Sequence, residues 1–222
     1  MITVHHLNNS RSQRVLWMLE ELDVPYEIRF YERDPETMQA PESLKKVHPL
    51  GKSPVITDGD LVVAESGLII DYLARTYGKD TMPPPDSGQA WLDYNYWLHY
   101  AEGSLMPPLL MRLVFEKVKT SPMPFFIKPV AKGIADKTNQ SFIGPMIDTH
   151  MDFVEAHLAK HTWFLGDDLS AADFQMSFPL EASVARGIVG NNRPNITAWV
   201  ERVHARPAYQ RGLEKGGEYD FA

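Results

Sequence analysis

Hydrophobic and polar residues follow two different spacings along the first eighty positions of the chain. Alternating or short apolar runs are typical of strands, and apolar residues repeated every three to four positions are typical of helices. An Asp-Gly pair at 58–59 between two such runs is typical of a hairpin turn. The predicted elements are, in order, a strand at 2–4, a helix over 15–22, strands at 26–31, 55–56 and 61–63, and a helix that begins at Ser66.

The pattern changes at a proline-rich stretch over 82–86, which we interpret as a linker. Beyond it the apolar spacing is helical throughout. Pro107 and Pro108 are expected to kink or split the first of these helices, because proline lacks a backbone donor and its ring crowds the preceding turn. The predicted elements of this half are a helix from 91 to about 118, a loop over 119–129 and a helix over about 130–160.

These elements predict a fold of the α/β plus all-α class. The β-α-β and then β-β-α order is that of a thioredoxin-like domain, assigned here to residues 1–80. A linker over 81–90 and an all-helical C-terminal domain over 91–222 follow.

A capping box is predicted in the helical half. Ser170 precedes an apolar run, and Asp173 stands three residues later, where its carboxylate can reach back to the cap. Leu169 and Phe174 are placed to form a hydrophobic staple. We interpret this motif as the start of a buried helix rather than as a ligand site.

The most informative segment is Leu50–Ile56 together with Glu65 and Ser66. A proline within a strand marks an edge, so Pro54 leaves the backbone of Ser53 free to pair with a peptide. Ser66 is a predicted N-cap, and the first amides of a helix attract an anion, whereas Glu65 suits an ammonium. Lys52 is placed for a second carboxylate. The order of these residues along the chain predicts a binding site for a small peptide.

Each of these residues has an ordinary structural explanation when taken alone. Only about 5–6% of bonds that precede proline are cis, so Pro54 by itself favours trans. Ser66 is most simply a helix cap and Glu65 a solvated acid. The inference depends on their combination.

Charge and composition exclude several classes of function. The net charge is −7, with 29 acidic and 22 basic residues and no polybasic run, so neither nucleic acid nor an anionic membrane is an expected partner. The absence of cysteine excludes a thiolate nucleophile and a thiolate zinc site. His5 and His6 are adjacent in a strand and therefore face opposite sides, so we expect no metal. Without a signal peptide or an apolar run of about 18 residues, a cytoplasmic protein is expected.

These motifs resemble the cytosolic glutathione transferases, in a serine-type, theta/delta-like or related fungal and bacterial branch. His48 and Ser53 depart from the asparagine and valine that are usual there. With weaker motifs near the end of the chain, the resemblance covers almost all of it. The residues that carry it are His48-Pro49-Leu50-Gly51-Lys52-Ser53-Pro54, Asp58-Gly59, Leu61, Glu65-Ser66-Gly67-Leu68-Ile69 and Tyr72-Leu73.

The resemblance implies glutathione as co-substrate and a homodimer as the assembly. It implies that Pro54 is cis and that the backbone of Ser53 pairs with the cysteinyl part of glutathione. Glu65 and Ser66 would take the γ-glutamyl head group, with Lys52 at the other end and Asn9 near the thiol.

The residue that activates the thiol is expected in the turn before the first helix. A free thiol has a pKa of about 8.5, and a hydroxyl donor at a helix start favours the thiolate. The resemblance points to Ser10, which also begins a possible capping box with Gln13. Ser12, Asn9 and His6 are the alternatives.

The expected activity is addition of the glutathione thiolate to an apolar electrophile. Glutathione-dependent peroxidase or isomerase chemistry at the same site, and a non-catalytic interaction protein, are the alternatives. The wall for the electrophile is expected among aromatic residues and methionines of the helical half, for each of which core packing is the alternative. These are Tyr96, Trp97, Tyr100, Met106, Leu109 and Met111.

Overall fold

A computed structural model describes residues 1–37 and 39–222 of the chain. The N-terminal half contains a four-stranded sheet with helices, in the strand order β2-β1-β3-β4. This arrangement confirms the predicted thioredoxin-like fold. Its elements are β1 (Ile2–Leu7), α1 (Gln13–Glu21), β2 (Tyr26–Tyr31), α2 (Glu42–Lys45), β3 (Val55–Asp58), β4 (Leu61–Ala64) and α3 (Ser66–Tyr77).

The sheet places the start of β3 beside the end of β1. β1 pairs in parallel with β2 and antiparallel with β3, in a register that sets His5 opposite Val55. Ser53 and Pro54, just before β3, therefore lie next to the turn that leads from β1 into α1. The Ser53 hydroxyl donates to the His5 carbonyl over 3.0 Å, which fixes this junction.

The second half of the described chain is helical, as predicted. A helix begins at Gly88, and the two longest helical stretches run over residues 88–120 and 128–158, each with one π-helical turn. The elements are α4 (Gly88–Tyr100), a π turn (Ala101–Leu105), α5 (Met106–Thr120), α6 (Lys128–Thr138), a π turn (Asn139–Ile143), α7 (Gly144–Leu158), α8 (Ala171–Ala185), α9 (Pro194–His204) and α10 (Pro207–Gly216).

Of the two outcomes expected at Pro107 and Pro108, a kink or a split, the split does not occur. The helix continues through both prolines, and the π turn Ala101–Leu105 comes immediately before them. A wider turn there accommodates the missing donor and the ring without ending the helix. The same combination recurs before Pro145, which follows the second π turn.

Two predicted N-caps are wrong, although α3 begins at Ser66 as predicted. α3 begins with Ser66 as its first helical residue, so the cap position belongs to Glu65. α1 is capped at Ser12 rather than Ser10, and the Gln13 side chain has no hydrogen-bond partner within the described residues. Gln13 is buried beneath α10 and cannot reach back to Ser10, so the predicted capping box there is absent.

One hydrophobic core extends through both halves of the chain. It joins Val4 and Ile56 of the sheet to Trp17 of α1 and to Phe174 of α8. The rings of Trp17 and Phe174 lie 4.3 Å apart. Because α1 is buried between the sheet and the helical half, the turn that precedes it is held from both sides. No helix in the described part of the chain has the length and hydropathy to cross a bilayer.

Candidate active site

A small open cavity lies where β3 and α3 begin. Its volume is about 220 Å³, and it is lined by Lys52, Ser53, Pro54, Glu65 and Ser66. The Ser53–Pro54 bond is cis, as predicted. Five positions chosen from sequence motifs are therefore gathered around one cavity.

The turn into α3 gives this cavity two opposite charges. Glu65 has φ 71° and ψ 120°, a left-handed backbone that a non-glycine residue adopts at a cost. Its carboxylate is exposed, whereas Ser66 is buried at the first position of the helix. The first amides of a helix have no partner inside it, so they present a partial positive charge beside the acid.

A buried network supports Ser66 from behind. The fully buried Arg14 donates to the Ser66 hydroxyl over 3.4 Å and to Gln175 over 2.7 Å. The amide of Gln175 also donates to Ser66, over 3.4 Å. Because the Ser66 oxygen accepts from two sides, its own proton is free to point into the cavity.

Glu102 ties this network to the cavity wall. It pairs with Arg14 over 3.1 Å and accepts from Arg11 over 2.9 Å. Burial would raise the pKa of Glu102, but the positive charges of Arg14 and Arg11 outweigh it and lower the pKa. Glu102 is therefore ionised at neutral pH.

Ser10 lies just behind the cavity wall, with only 5% of its surface exposed. Its hydroxyl is 3.4 Å from that of Ser53, which lines the cavity, and 2.7 Å from that of Ser12. The Ser12 amide donates to the Ser10 oxygen over 3.2 Å. Ser10 thus accepts from the turn and donates its own proton toward the Ser53 oxygen at the cavity wall.

The His6 side chain contacts the hydroxyl of Ser12. Its Nδ1 lies 2.9 Å from the Ser12 hydroxyl. Burial lowers the pKa of His6 to about 4, although a backbone hydrogen bond at Gly216 acts in the opposite direction. The ring is therefore neutral at physiological pH. His5 faces the other way and bonds the Tyr31 hydroxyl over 3.0 Å, which agrees with the alternation expected of a strand.

A second, larger cavity of about 610 Å³ lies beside the first, and Arg11 lines both. Asn9 belongs to this second cavity rather than to the first. Its side-chain oxygen accepts from the amide of Asp220 over 2.9 Å. Asn9 thus joins the turn before α1 to the last residues described.

Two of the six residues expected to form the electrophile wall line this cavity, namely Met106 and Leu109. The aromatic residues of α4 do not, because they face α7 and the core. Trp97 lies 4.7 Å from the ring of Phe164, and the Tyr100 hydroxyl is 2.8 Å from His150. Core packing, the alternative explanation, holds for Trp97 and Tyr100. Tyr96 is 47% exposed, and Met111 packs against the core and does not line this cavity.

Sequence motifs missed the residues behind the cavity. Arg11 and Arg14 lie in the expected turn and helix, but no local pattern pairs them with Glu102 or Gln175. Those partners are 88 and 161 positions from Arg14. An uncompensated arginine on a buried helix face is the one signal that a distant partner was needed.

A thioredoxin-like domain followed by helices, with a cavity at a cis-proline and a helix start, is the arrangement of cytosolic glutathione transferases. Comparisons with known proteins agree. The family's "Glutathione S-transferase, N-terminal domain" matches residues 10–76 and its "Glutathione S-transferase, C-terminal domain" matches residues 145–207. Glutathione S-transferase 1 of Saccharomyces cerevisiae is 37% identical, over 97% of this chain and 95% of its own.

Solved structures give the same result. A glutathione S-transferase from Actinobacillus pleuropneumoniae is similar at a TM-score of 0.81 and 34% identity, covering all of this chain and 95% of its own. A glutathione transferase from Phanerochaete chrysosporium, in complex with oxidized glutathione, has the same fold at a TM-score of 0.74 and 22% identity, over 97% and 96% of the two chains. The chain belongs to the glutathione S-transferase family, and it is a glutathione transferase.

Proposed function

We propose that glutathione binds in the small cavity and that its thiolate adds to an apolar electrophile held in the larger one. The observation that carries this proposal is the adjacency of the two cavities. One has the charges for an amino-acid head group and the other an apolar wall, with Ser10 close to their common border.

In this proposal the γ-glutamyl head group lies at the start of α3. Its carboxylate accepts from the Ser66 hydroxyl and the first helix amides, and its ammonium meets Glu65. The backbone of Ser53 pairs with the cysteinyl part, and Lys52 faces the far carboxylate. The charges of cavity and ligand are complementary along the whole length.

In this proposal the Ser10 hydroxyl, which donates to the Ser53 oxygen over 3.4 Å, turns its proton to the sulfur. Its oxygen already accepts from the Ser12 amide, so the hydroxyl is oriented before the ligand arrives. A donor that favours the thiolate over the thiol lowers the thiol pKa, by one unit for each 1.4 kcal/mol or so of preference. The backbone amides of the turn and Asn9 are the alternative donors.

A twofold homodimer is part of the proposal. Large apolar side chains are exposed on α3 and α4, and twofold pairing is the commonest way to cover such a face. These are Leu68, Trp91, Leu92 and Tyr96, at 56%, 41%, 51% and 47% exposure. Light scattering at micromolar concentration should give twice the mass of the chain, and the mass of a single chain would contradict the dimer. The cytoplasmic location expected from the sequence also remains part of the proposal.

The experiment that tests the proposed function combines binding with catalysis. Calorimetry with reduced glutathione should show one site per chain, and a neutral aryl chloride should then be conjugated with release of chloride. Oxidised glutathione serves as a control for the free thiol, since it has none to transfer. Binding without conjugation of any electrophile in a panel would contradict the catalytic role, and absence of binding would contradict the site.

A further inference from the structure

The larger cavity differs in charge from the protein around it. Four cationic residues line it, Arg11, Arg33, Lys117 and Arg186, against one carboxylate, Asp220. The chain as a whole has a net charge of −7. A concave surface of one sign raises the local concentration of ligands of the opposite sign.

Two of these cations have no carboxylate of their own. Arg11 is paired with Glu102 over 2.9 Å. Lys117 and Arg186, in contrast, form no salt bridge with any other residue that the structure describes. The guanidinium of Arg186 lies 5.0 Å from the centre of the Phe221 ring, which holds it against the cavity wall.

The positive charges are close enough to act on one another. Burial lowers the pKa of Arg33, and the charge of Arg11 lowers it further. Arg11 also lies 4.9 Å from the centre of the Phe178 ring, and Phe178 and Phe221 are 5.7 Å apart. Arg11 and Arg186 thus lie against an aromatic end wall, and the exposed side chains of Lys117 and Arg186 are accessible at the rim of the cavity.

Apart from Asn8, Asn9 and Ser183, the remaining lining residues of the cavity are apolar. Leu109, Leu110 and Leu113 of α5 line one side and Ile188 the other. Its volume of about 610 Å³ is within the ordinary range of small-molecule sites, about 300–1,000 Å³. An apolar body with an acidic end therefore fits both the walls and the charges.

We propose that the electrophile conjugated in this cavity carries a carboxylate, which Arg186 and Lys117 recognise. This inference rests on the proposed function, because the sulfur must come from glutathione in the neighbouring cavity. With an aryl chloride, the sulfur forms a bond to the ring carbon and chloride leaves with the bonding electron pair. The thiol proton passes to solvent, and the carboxylate takes no part in the bond changes.

The test uses 4-chloro-3-nitrobenzoate and its methyl ester, which share a leaving group and differ in charge. The quantity measured is the ratio of kcat/KM for the acid to kcat/KM for the ester, at low ionic strength. In the double variant Arg186→Gln, Lys117→Gln this ratio should fall roughly three- to tenfold, the range of one or two solvent-exposed ion pairs. Added salt should lower the ratio in the wild type.

The control is Lys79→Gln, an exposed lysine that lies outside both cavities and changes the net charge in the same direction. Its ratio should equal that of the wild type. If the acid-to-ester ratio of kcat/KM is unchanged in the double variant, the proposal of an anionic electrophile is overturned. Conjugation of the ester in that experiment would still support the proposed function. Wild-type protein that conjugates neither compound would overturn both.

Discussion

Glu65 is the residue on which the proposed recognition of an amino-acid head group depends most directly. Its left-handed backbone turns the chain from β4 into α3 within a single position. The turn exposes its carboxylate while the amides of α3 face the same cavity. A negative and a positive site are thereby set side by side, as the proposed binding of an ammonium and a carboxylate on one carbon requires.

We predict that Glu65→Gln weakens glutathione binding without unfolding the protein. Glutamine keeps the size of the side chain but removes the charge that meets the ammonium. Loss of a charge-assisted hydrogen bond of about 1.5–3 kcal/mol corresponds to roughly 10- to 100-fold in affinity. Calorimetry measures this, with Asp60→Asn in the hairpin turn as the control that loses an acid elsewhere. Equal affinities in wild type and Glu65→Gln would contradict the assignment.

At the scale of the residue, the sequence predicts the role of a side chain when that role depends on its neighbours along the chain. Ser53, Pro54, Glu65 and Ser66 are set by one strand edge and one helix start, so a local motif contains the information. Ser66 was misplaced by one position because a serine and an acid both suit a cap, and only the backbone of Glu65 decides between them. Gln175 depends on how α8 packs against α1, which no local pattern encodes.

At the scale of the element, α8 illustrates a prediction that holds. The capping box forms. The Asp173 carboxylate accepts from the Ser170 amide over 2.9 Å and from the Ser170 hydroxyl over 2.8 Å. The same carboxylate accepts from the Phe164 amide over 3.0 Å and from the Trp199 indole over 3.3 Å. One side chain therefore joins the start of α8 to the preceding loop and to α9.

We predict that Asp173→Ala destabilises the fold. Four donors lose their acceptor, in a site that water does not reach. Each unsatisfied buried donor costs about 1–3 kcal/mol, and relaxation removes part of the total, so we expect a loss of about 3 kcal/mol. Chemical denaturation monitored by circular dichroism measures it. Asp167→Ala, an exposed acid in the same loop, should change the free energy of unfolding by less than about 0.5 kcal/mol. Similar losses in the two variants would contradict the capping role.

The titration of Asp173 gives a prediction of opposite sign to that of most acids. Burial raises its pKa from 3.8 to about 6, although the four donors act in the other direction. The folded state therefore holds this proton more tightly, and its stabilisation is present below about pH 4 and lost as the pH rises through about 6.

Asp173→Asn removes this titration and provides the test. The advantage of the wild type over Asp173→Asn in free energy of unfolding should be larger at about pH 4 than at about pH 7. Denaturation curves at the two pH values measure it. An advantage that grows as the pH rises would show that the donors, rather than burial, control this carboxyl.

The prolines of α5 illustrate an element that the sequence predicts only in part. Proline is known to disturb a helix, so a departure near Pro107 was expected. Whether the chain breaks there or forms a π turn is decided by the packing of the flanking residues. Ala101 and Leu105 of that turn are buried, so the turn packs against the core through these two residues.

At the scale of the whole molecule, α1 depends on a close contact with α10. A Cβ at Gly212 would lie 3.2 Å from the backbone nitrogen of Trp17 and 3.3 Å from its Cα. Backbone atoms cannot rotate away as a side chain can. The absence of a side chain at Gly212 therefore allows α10 to pack directly on the helix that follows the Ser10 turn.

We predict that Gly212→Ala destabilises the protein by about 1–3 kcal/mol, the usual cost of overpacking. Thermal unfolding measures the loss. Gly133→Ala in α6 is the matched control, because nothing lies within 4 Å of its added Cβ. It should stabilise the protein by about 0.5–1 kcal/mol through helix propensity alone. If both variants were stabilised, the contact between α1 and α10 would not be as close as described.

The two halves of the molecule meet at the turn over Asn9–Ser12, and the chemistry proposed here depends on that meeting. The sheet supplies Ser53 and the start of α3, and the helical half supplies Glu102 and the wall of the larger cavity. Ser10 lies between them, oriented by Ser12 and close to Ser53. The central claim is that its hydroxyl stabilises the thiolate of bound glutathione.

The most direct test is the pKa of the enzyme-bound thiol, read from thiolate absorbance across a pH series in wild type, Ser10→Ala and Ser12→Ala. If the hydrogen bond from the hydroxyl favours the thiolate by about 1.4 kcal/mol, its loss raises that pKa by about one unit. We predict such a rise for Ser10→Ala with little change in glutathione affinity, and a smaller rise for Ser12→Ala, which contacts Ser10 and not the cavity. An unchanged thiol pKa in a folded Ser10→Ala protein that still binds glutathione would contradict the claim.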